Sequence, residues 1–369
     1  MTTQAVHGGD VWRVALEYGI PVEQLLDFSA NINPRGLPER ARQQLLRDAT
    51  DDRLLQCYPD PAATALRAAL SERLRVREES IVVGEGAEAL IAAALRSFGT
   101  RRCLVPVPAF SEYARACAAC NAALHTFPLS PASGFRLDVE RFCELLSRGE
   151  WDTAIINNPH NPSGALLDPS QLLAILAACA RSGTRLLLDE AFIDYSEHAS
   201  LVRDAATRPG AIVVRSLTKF YGCPALRVGY AVGAPESVGR IAAALPTWPV
   251  TLLSMNALRA AVLDGAYARM TLEENAVQRS RMNAAIANLD AQVFPSAANY
   301  LLIRLPEDAA PASRIRDRLI REHSILVRNC DSYEGLETGR YIRIAVRSAS
   351  ENDRLLGALN NVLKGLFPP

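Results

Sequence analysis

The sequence predicts an α/β fold: a large domain built on a mostly parallel sheet covered by helices, and a smaller α/β domain. Two observations lead there. From Ile81 onward, short β-branched or leucine runs alternate with long helical patterns, and parallel strands need such crossovers. In the last quarter, apolar runs at residues 299–303, 325–328 and 341–347 flank one helical pattern at about 312–322, which suits paired strands with helices. With 369 residues the chain has room for both. The expected boundaries are 1–45 for an N-terminal arm and the start of the small domain, 46–250 for the large domain, and 251–369 for the small C-terminal domain.

Composition narrows the partners. Lysine plus arginine equals aspartate plus glutamate, 40 each, so the net charge argues for neither nucleic acid nor a membrane surface. The first residues, MTTQAVHGGDVWR, lack the apolar core of a signal peptide, and no run reaches the length of a membrane span, so a cytoplasmic enzyme is expected. Of eight cysteines only Cys117 and Cys120 are close together. No second ligand pair follows at metal spacing, and helix-buried free thiols are the expectation.

Residues 1–38 are rich in turn formers, with His7-Gly8-Gly9 and Asp27-Phe28-Ser29-Ala30-Asn31-Ile32-Asn33-Pro34, and read as an extended arm. A loop histidine is usually just solvated, but the two glycines beside His7 let backbone approach a ligand. Tyr58-Pro59-Asp60-Pro61 then starts a helix in which Leu66, Leu70 and Leu74 share a face.

The first strand, Ile81-Val82-Val83, passes through Gly84-Glu85-Gly86-Ala87-Glu88-Ala89 into an alanine-rich helix. Small residues at such a turn expose amide N–H groups at the positive end of the helix dipole, where an anion is favoured. The pattern also matches the GxGxxA of dinucleotide folds. Against that, the next strand, Cys103-Leu104-Val105, runs into Pro106 and Pro108 with no acidic residue placed to hold a ribose. Phe110, just beyond, caps the core or stacks on a flat heteroaromatic ring, a contact contributing about 1 kcal/mol beyond burial.

The strand at 153–156 ends in Asn157-Asn158-Pro159-His160-Asn161-Pro162-Ser163-Gly164. Two prolines and a glycine fix this loop, which would present the Asn161 amide as a donor, with His160 structural rather than a general base. Leu186-Leu187-Leu188 delivers Asp189 at a strand end, where a carboxylate is costly unless paired. Last comes AIVVRSLTKFYGCPALRVGY (211–230), in which Ser216, Thr218, Lys219 and Arg227 gather beyond a β-branched strand. Hydroxyls and a planar guanidinium suit a phosphate, and a lysine beside a fixed arginine is pushed toward its nucleophilic neutral form. Taken alone, the same residues also fit a surface turn with scattered charge.

Position decides between those readings. In open parallel sheets, ligands bind beyond the carboxyl ends of the strands. Five successive strand ends supply a helix N-terminus, an aromatic, an amide, a carboxylate and a lysine with phosphate ligands. Further on, Arg328 and Arg343 interrupt apolar strand patterns; they are candidates for gripping a substrate's negative groups, or members of a structural ion pair.

The lysine stretch resembles that of fold-type I pyridoxal-phosphate enzymes, and the likeness extends over nearly the whole chain. It implies their fold, with a mostly parallel seven-stranded sheet, and pyridoxal 5'-phosphate as cofactor. Two groups within the family compete: the histidinol-phosphate aminotransferases, and the threonine-phosphate decarboxylases of cobalamin biosynthesis. His7-Gly8-Gly9, DFSANINPRG (27–36), LDEAFIDY (188–195), RSLTKFYGCPALRVGY (215–230), ANYLLIR (298–304) and YIRIAVRS (341–348) resemble the decarboxylase pattern. Phe192 stands where the aminotransferases typically have tyrosine.

By that resemblance Lys219 would carry the cofactor as a Schiff base, and Gly86, Ala87, Ser216, Thr218 and Arg227 would hold its phosphate, joined by Tyr58 from a second subunit. Phe110 would stack on the ring, Asn161 would meet its 3-oxygen and Asp189 its nitrogen. His7, Gly8, Asn31, Asn161, Arg328 and Arg343 would surround a phosphorylated amino acid, in a homodimer with shared active sites. Cys223, Ala225 and Ala87-Glu88-Ala89 depart from the usual residues around the phosphate. A noncatalytic binding protein on the same fold is disfavoured by the intact Lys219 and Asp189.

Overall fold

The structure, a computed structural model, describes residues 8–364. Its centre is a seven-stranded sheet of β1 (Ile81–Gly84), β2 (Arg102–Val107), β3 (Ala123–Pro128), β4 (Thr153–Asn157), β5 (Arg185–Asp189), β6 (Ala211–Ser216) and β7 (Gly229–Gly233). Their order is β1-β7-β6-β5-β4-β2-β3, and only β7 runs against its neighbours. The mostly parallel sheet expected from the sequence is therefore present.

Side-chain alternation explains why the central strands are apolar throughout. Ala154, Ile156, Leu186, Leu188 and Val213 join one hydrophobic cluster, whereas Ile155, Leu187, Ile212 and Val214 join another on the opposite face. Helices cover both faces, so neither set meets water, as a parallel sheet requires. The crossover helices are well punctuated: Pro169–Ser182 starts with a capping box between Asp168 and Gln171 and ends at Gly183 in the left-handed conformation.

A second sheet of four antiparallel strands contains β8 (Gln292–Val293), β9 (Tyr300–Arg304), β10 (Arg328–Asn329) and β11 (Tyr341–Ala345), in the order β10-β11-β9-β8. Helices Gly265–Ala287, Ala312–His323 and Ala349–Lys364 pack with it around a separate core that includes Met282, Ile315, Leu319 and Leu355. Helix Leu252–Val262 instead lies against helices Glu39–Ala49 and Thr64–Leu74.

Two local expectations are corrected, and the sheet gains an edge strand that the sequence reading did not include. The extended N-terminal arm contains a helix, Val11–Tyr18, stopped by Gly19 in the left-handed region; Val14 and Ala15 bury its inner face. The alanine-rich helix after Phe110 ends at Ala119, Asn121 turns the chain at φ 55°, and β3 follows as an edge strand. The run at 325–328 is two short strands: Ile325–Leu326 pairs in parallel with Leu26–Asp27, and β10 pairs with β11. The chain there serves two sheets in turn. Among the described residues no helix is long and apolar enough to cross a membrane.

Candidate active site

A cavity of about 340 Å³ lies beyond the carboxyl ends of β4, β5 and β6. Its wall includes Gly8, Asn31, Gly86, Ala87, Phe110, Asn161, Asp189, Ser216, Thr218, Lys219, Arg227, Arg328 and Arg343. These thirteen positions span the chain from 8 to 343, and folding brings them together. Two other residues were singled out from the sequence. His7 lies outside the described residues. Tyr58 is 78% exposed and stacks on Trp248 with ring centroids 4.4 Å apart.

One end of the cavity is built for an anion. Helix Gly86–Ser97 points its N-terminus there, and Gly86 sits at φ +80° with Arg227 so near that an added Cβ would lie 3.2 Å from Nη2. From β6, Ser216 caps the short helix Leu217–Phe220, and its Oγ lies 2.8 Å from Thr218 Oγ1. Both hydroxyls line the cavity, beside a helix dipole and a guanidinium.

Asp189 closes β5 and is buried. Tyr113 Oη donates to its Oδ2 at 2.5 Å, and the Ala191 amide donates to Oδ1 at 2.9 Å. Burial nonetheless holds the Asp189 carboxyl above the usual range, with those donors and Lys219 opposing it. Lys219 shows the converse: burial, then Arg227 and Arg343, bring its ammonium down from 10.5 to about 8. A useful fraction of the amine is thus neutral near physiological pH.

Asn157 braces the next loop. Its Oδ1 accepts from the Asn161 amide at 2.6 Å and its Nδ2 donates to Asp189 O at 2.9 Å, which ties the ends of β4 and β5 together. His160 has both ring nitrogens engaged, Nδ1 with Ser163 Oγ at 2.7 Å and Nε2 with Pro108 O at 2.8 Å. Burial lowers it to about 4, so it is a neutral structural residue, as the sequence suggested.

The far wall comes from the second sheet. Arg328 on β10 and Arg343 on β11 are directly paired in register, so both guanidinium groups leave the same face. Arg343 donates to Asn161 Oδ1 at 2.5 Å, Tyr333 Oη at 3.0 Å and Ser29 O at 2.8 Å, all neutral acceptors. Its Nε is buried without a partner, and no carboxylate among the described residues pairs with it, which rules out the structural ion pair for Arg343. Arg328 donates to Ser332 Oγ at 2.7 Å, and burial lowers its proton affinity. Ser29 also accepts the Gly9 amide on Oγ at 2.8 Å, seating the N-terminal arm. A Cβ at Gly8 would collide with the Ser29 carbonyl.

Sequence reasoning missed Tyr113, Tyr333 and Ser29. Tyr113 was findable: three residues beyond Phe110, it stands in the first turn of the helix that follows. Tyr333 gave no signal, because its loop has no periodicity.

Fold and site together define a family. Residues 23–359 match the model for aminotransferase class I and II, and the chain belongs to that family. Among its relatives, the threonine-phosphate decarboxylase of Salmonella typhimurium is 35% identical over 367 residues, covering 99% of this chain and 98% of that protein. Histidinol-phosphate aminotransferase 2 of Methylococcus capsulatus is 31% identical, with 94% and 93% covered. The solved L-threonine-O-3-phosphate decarboxylase of Porphyromonas gingivalis superposes with a TM-score of 0.80 at 25% identity, covering 92% of this chain and all of that one.

Proposed function

We propose that this protein decarboxylates L-threonine O-3-phosphate to (R)-1-amino-2-propanol O-2-phosphate and carbon dioxide, in cobalamin biosynthesis and with pyridoxal 5'-phosphate as cofactor. The observation that carries the reading is the pairing of Arg328 with Arg343 in the cavity that holds Lys219 and Asp189. Two adjacent buried guanidinium groups, Arg343 held only by neutral acceptors, suit the phosphate of a phosphorylated amino acid. Threonine phosphate offers that phosphate together with a carboxylate that can leave, which histidinol phosphate lacks. The full-length likeness to threonine-phosphate decarboxylases supports the same choice.

The donor set fits the cofactor. Ser216, Thr218, Arg227 and the amides at Gly86 and Ala87 would hold its phosphate, Phe110 would stack on its ring, and Asn161 Nδ2 is turned away from Arg343 and available to its 3-oxygen. Asp189 would pair with the ring nitrogen and Lys219 would bind the cofactor covalently. Bound there, pyridoxal phosphate supplies a ring that accepts the electrons of the breaking bond.

The protein's own groups then choose that bond. With the substrate phosphate gripped by the arginines, and with His7, Gly8 and Asn31 around it, the carboxylate is left to stand upright. Lys219 Nζ, once released, holds the proton that Cα needs after carbon dioxide leaves. Phe192 is buried against Tyr300 and brings no hydroxyl to the cavity. Tyr58, exposed with Trp248 as an open aromatic pair, fits a homodimer in which Tyr58 of the partner subunit reaches the cofactor phosphate. The enzyme would work in the cytoplasm.

Purified holoenzyme given L-threonine O-3-phosphate is expected to release carbon dioxide without a keto-acid acceptor, and silence in that assay overturns the proposal. The likeness to a histidinol-phosphate aminotransferase favours a second reading, which predicts amino transfer from histidinol phosphate to 2-oxoglutarate instead.

A further inference from the structure

Arg328 and Arg343 face the same way from adjacent strands, and two such charges repel. Something must fix the angle between them. Tyr333, buried in the 331–339 loop, touches both: its Oη accepts from Arg343 Nη1 at 3.0 Å, and its ring lies 5.4 Å from the Arg328 guanidinium carbon. The Oη also lies 3.4 Å from Asn161 Oδ1, to which it donates.

The loop that carries Tyr333 is itself held. Asp331 Oδ1 accepts the Gly339 amide at 2.6 Å, Asn329 Nδ2 donates to Asp331 Oδ2 at 2.8 Å, and the Tyr333 amide donates to Cys330 O at 3.0 Å. A side chain on so constrained a loop keeps its position when a ligand arrives. The ring faces one guanidinium as a cation–π partner and the hydroxyl engages the other end-on.

We propose that Tyr333 is a specificity-determining residue, one that sets the two guanidinium groups as a pair of forks matched to the phosphate of a phosphorylated amino acid. An amino acid without a phosphate would leave this grip without the anion it is shaped for, and would bind less well. The inference rests on the substrate class proposed above.

The test compares wild-type holoenzyme with Tyr333→Phe and Tyr333→Leu, titrating each with L-threonine O-3-phosphate and with L-threonine through the change in cofactor absorbance, alongside kcat and KM for carbon dioxide release. Tyr333→Phe keeps the ring and loses the hydroxyl. It is expected to weaken phosphothreonine binding about tenfold, with a smaller change in kcat and unaltered absorbance of the resting enzyme. Tyr333→Leu loses both contacts, and the preference for phosphothreonine over threonine should narrow further. Unchanged phosphothreonine affinity in both variants, or equal losses for both amino acids, overturns the inference. If the wild type binds phosphothreonine but releases no carbon dioxide, the decarboxylase reading falls, while the titrations still decide the role of Tyr333.

Discussion

Tyr113 Oη donates to Asp189 Oδ2 at 2.5 Å inside the protein, joining the helix that follows Phe110 to the carboxylate at the end of β5. The same tyrosine meets the Phe110 ring edge-on, with centroids 5.8 Å apart. One side chain thus steadies both the proposed stacking ring and the proposed partner of the ring nitrogen. Tyr113→Phe should leave the fold intact and lift the Asp189 carboxyl further above its ordinary range. It should weaken pyridoxal phosphate binding about tenfold, because a hydrogen bond to a charged acceptor is lost. Titration of the apoprotein by absorbance checks this, and an unchanged affinity would show that Asp189 is fixed without Tyr113.

Lys219 is one of only two lysines in the chain, the other being Lys364. Borohydride reduction of the holoenzyme should therefore label a single peptide, the one containing Lys219, and Lys219→Met should abolish the label. The substitution also bears on stability. The folded amine titrates near 8 and the unfolded one near 10.5, so between these values the unfolded chain binds more protons and stability rises with pH. At pH 7 the folded apoprotein bears the full cost of a charged Lys219, at most about 3 kcal/mol. Apo Lys219→Met should accordingly unfold at higher urea than the wild type at pH 7, with the gap closing toward pH 10.

Arg343→Ala removes the guanidinium that three neutral acceptors hold in place. The Michaelis constant for threonine phosphate should rise by about a hundredfold, the loss expected for a charge-assisted bidentate contact, and the cofactor absorbance should persist. An unchanged constant would remove Arg343 from substrate binding.

The sheet was legible because its strands are short, apolar on both faces and punctuated by Gly, Pro and Asn at their ends. The residues at those ends were legible for the same reason: a polar group after Leu188 or Val214 has to be facing something. The N-terminal helix was hidden by its length, since eight residues between two turn-rich segments barely establish a period. Strand β3 was hidden by its edge position, where exposed and half-buried residues blur alternation. The choice between an ion pair and a ligand site at Arg343 could not be made from sequence at all. It depends on whether a carboxylate comes near from 182 or 314 residues away, and what comes is the Asn161 amide oxygen and the Ser29 carbonyl.

His160 gives a pH signature unconnected with catalysis. Its folded value near 4 lies below the ordinary 6.5, so between these limits the unfolded chain binds more protons. The stability contributed by neutral His160 is present above about pH 6.5 and is lost as pH falls toward 4, by at most about 3 kcal/mol. Urea unfolding at pH 7 and pH 5 should show a smaller loss for His160→Gln than for the wild type.

One residue before Ser216 on β6 is Arg215 and one residue beyond Asp189 is Glu190, both fully buried with Nε and Oε2 2.9 Å apart. Arg215 also meets Glu197 through two bonds of 3.0 Å and Ser200 Oγ at 2.6 Å. The network lies directly beside the site and locks the relative position of β5 and β6. Arg215→Met would strand Glu190 as an unpaired buried carboxylate, whose proton affinity burial already raises. Destabilisation of about 3–5 kcal/mol is expected in urea unfolding at pH 7, shrinking as pH falls and Glu190 is protonated. Adding Glu190→Gln to Arg215→Met should recover part of the loss, because a neutral amide costs less to bury than a carboxylate without its cation. No recovery in the double variant would mean that Arg215 acts through Glu197 and Ser200 and not through Glu190.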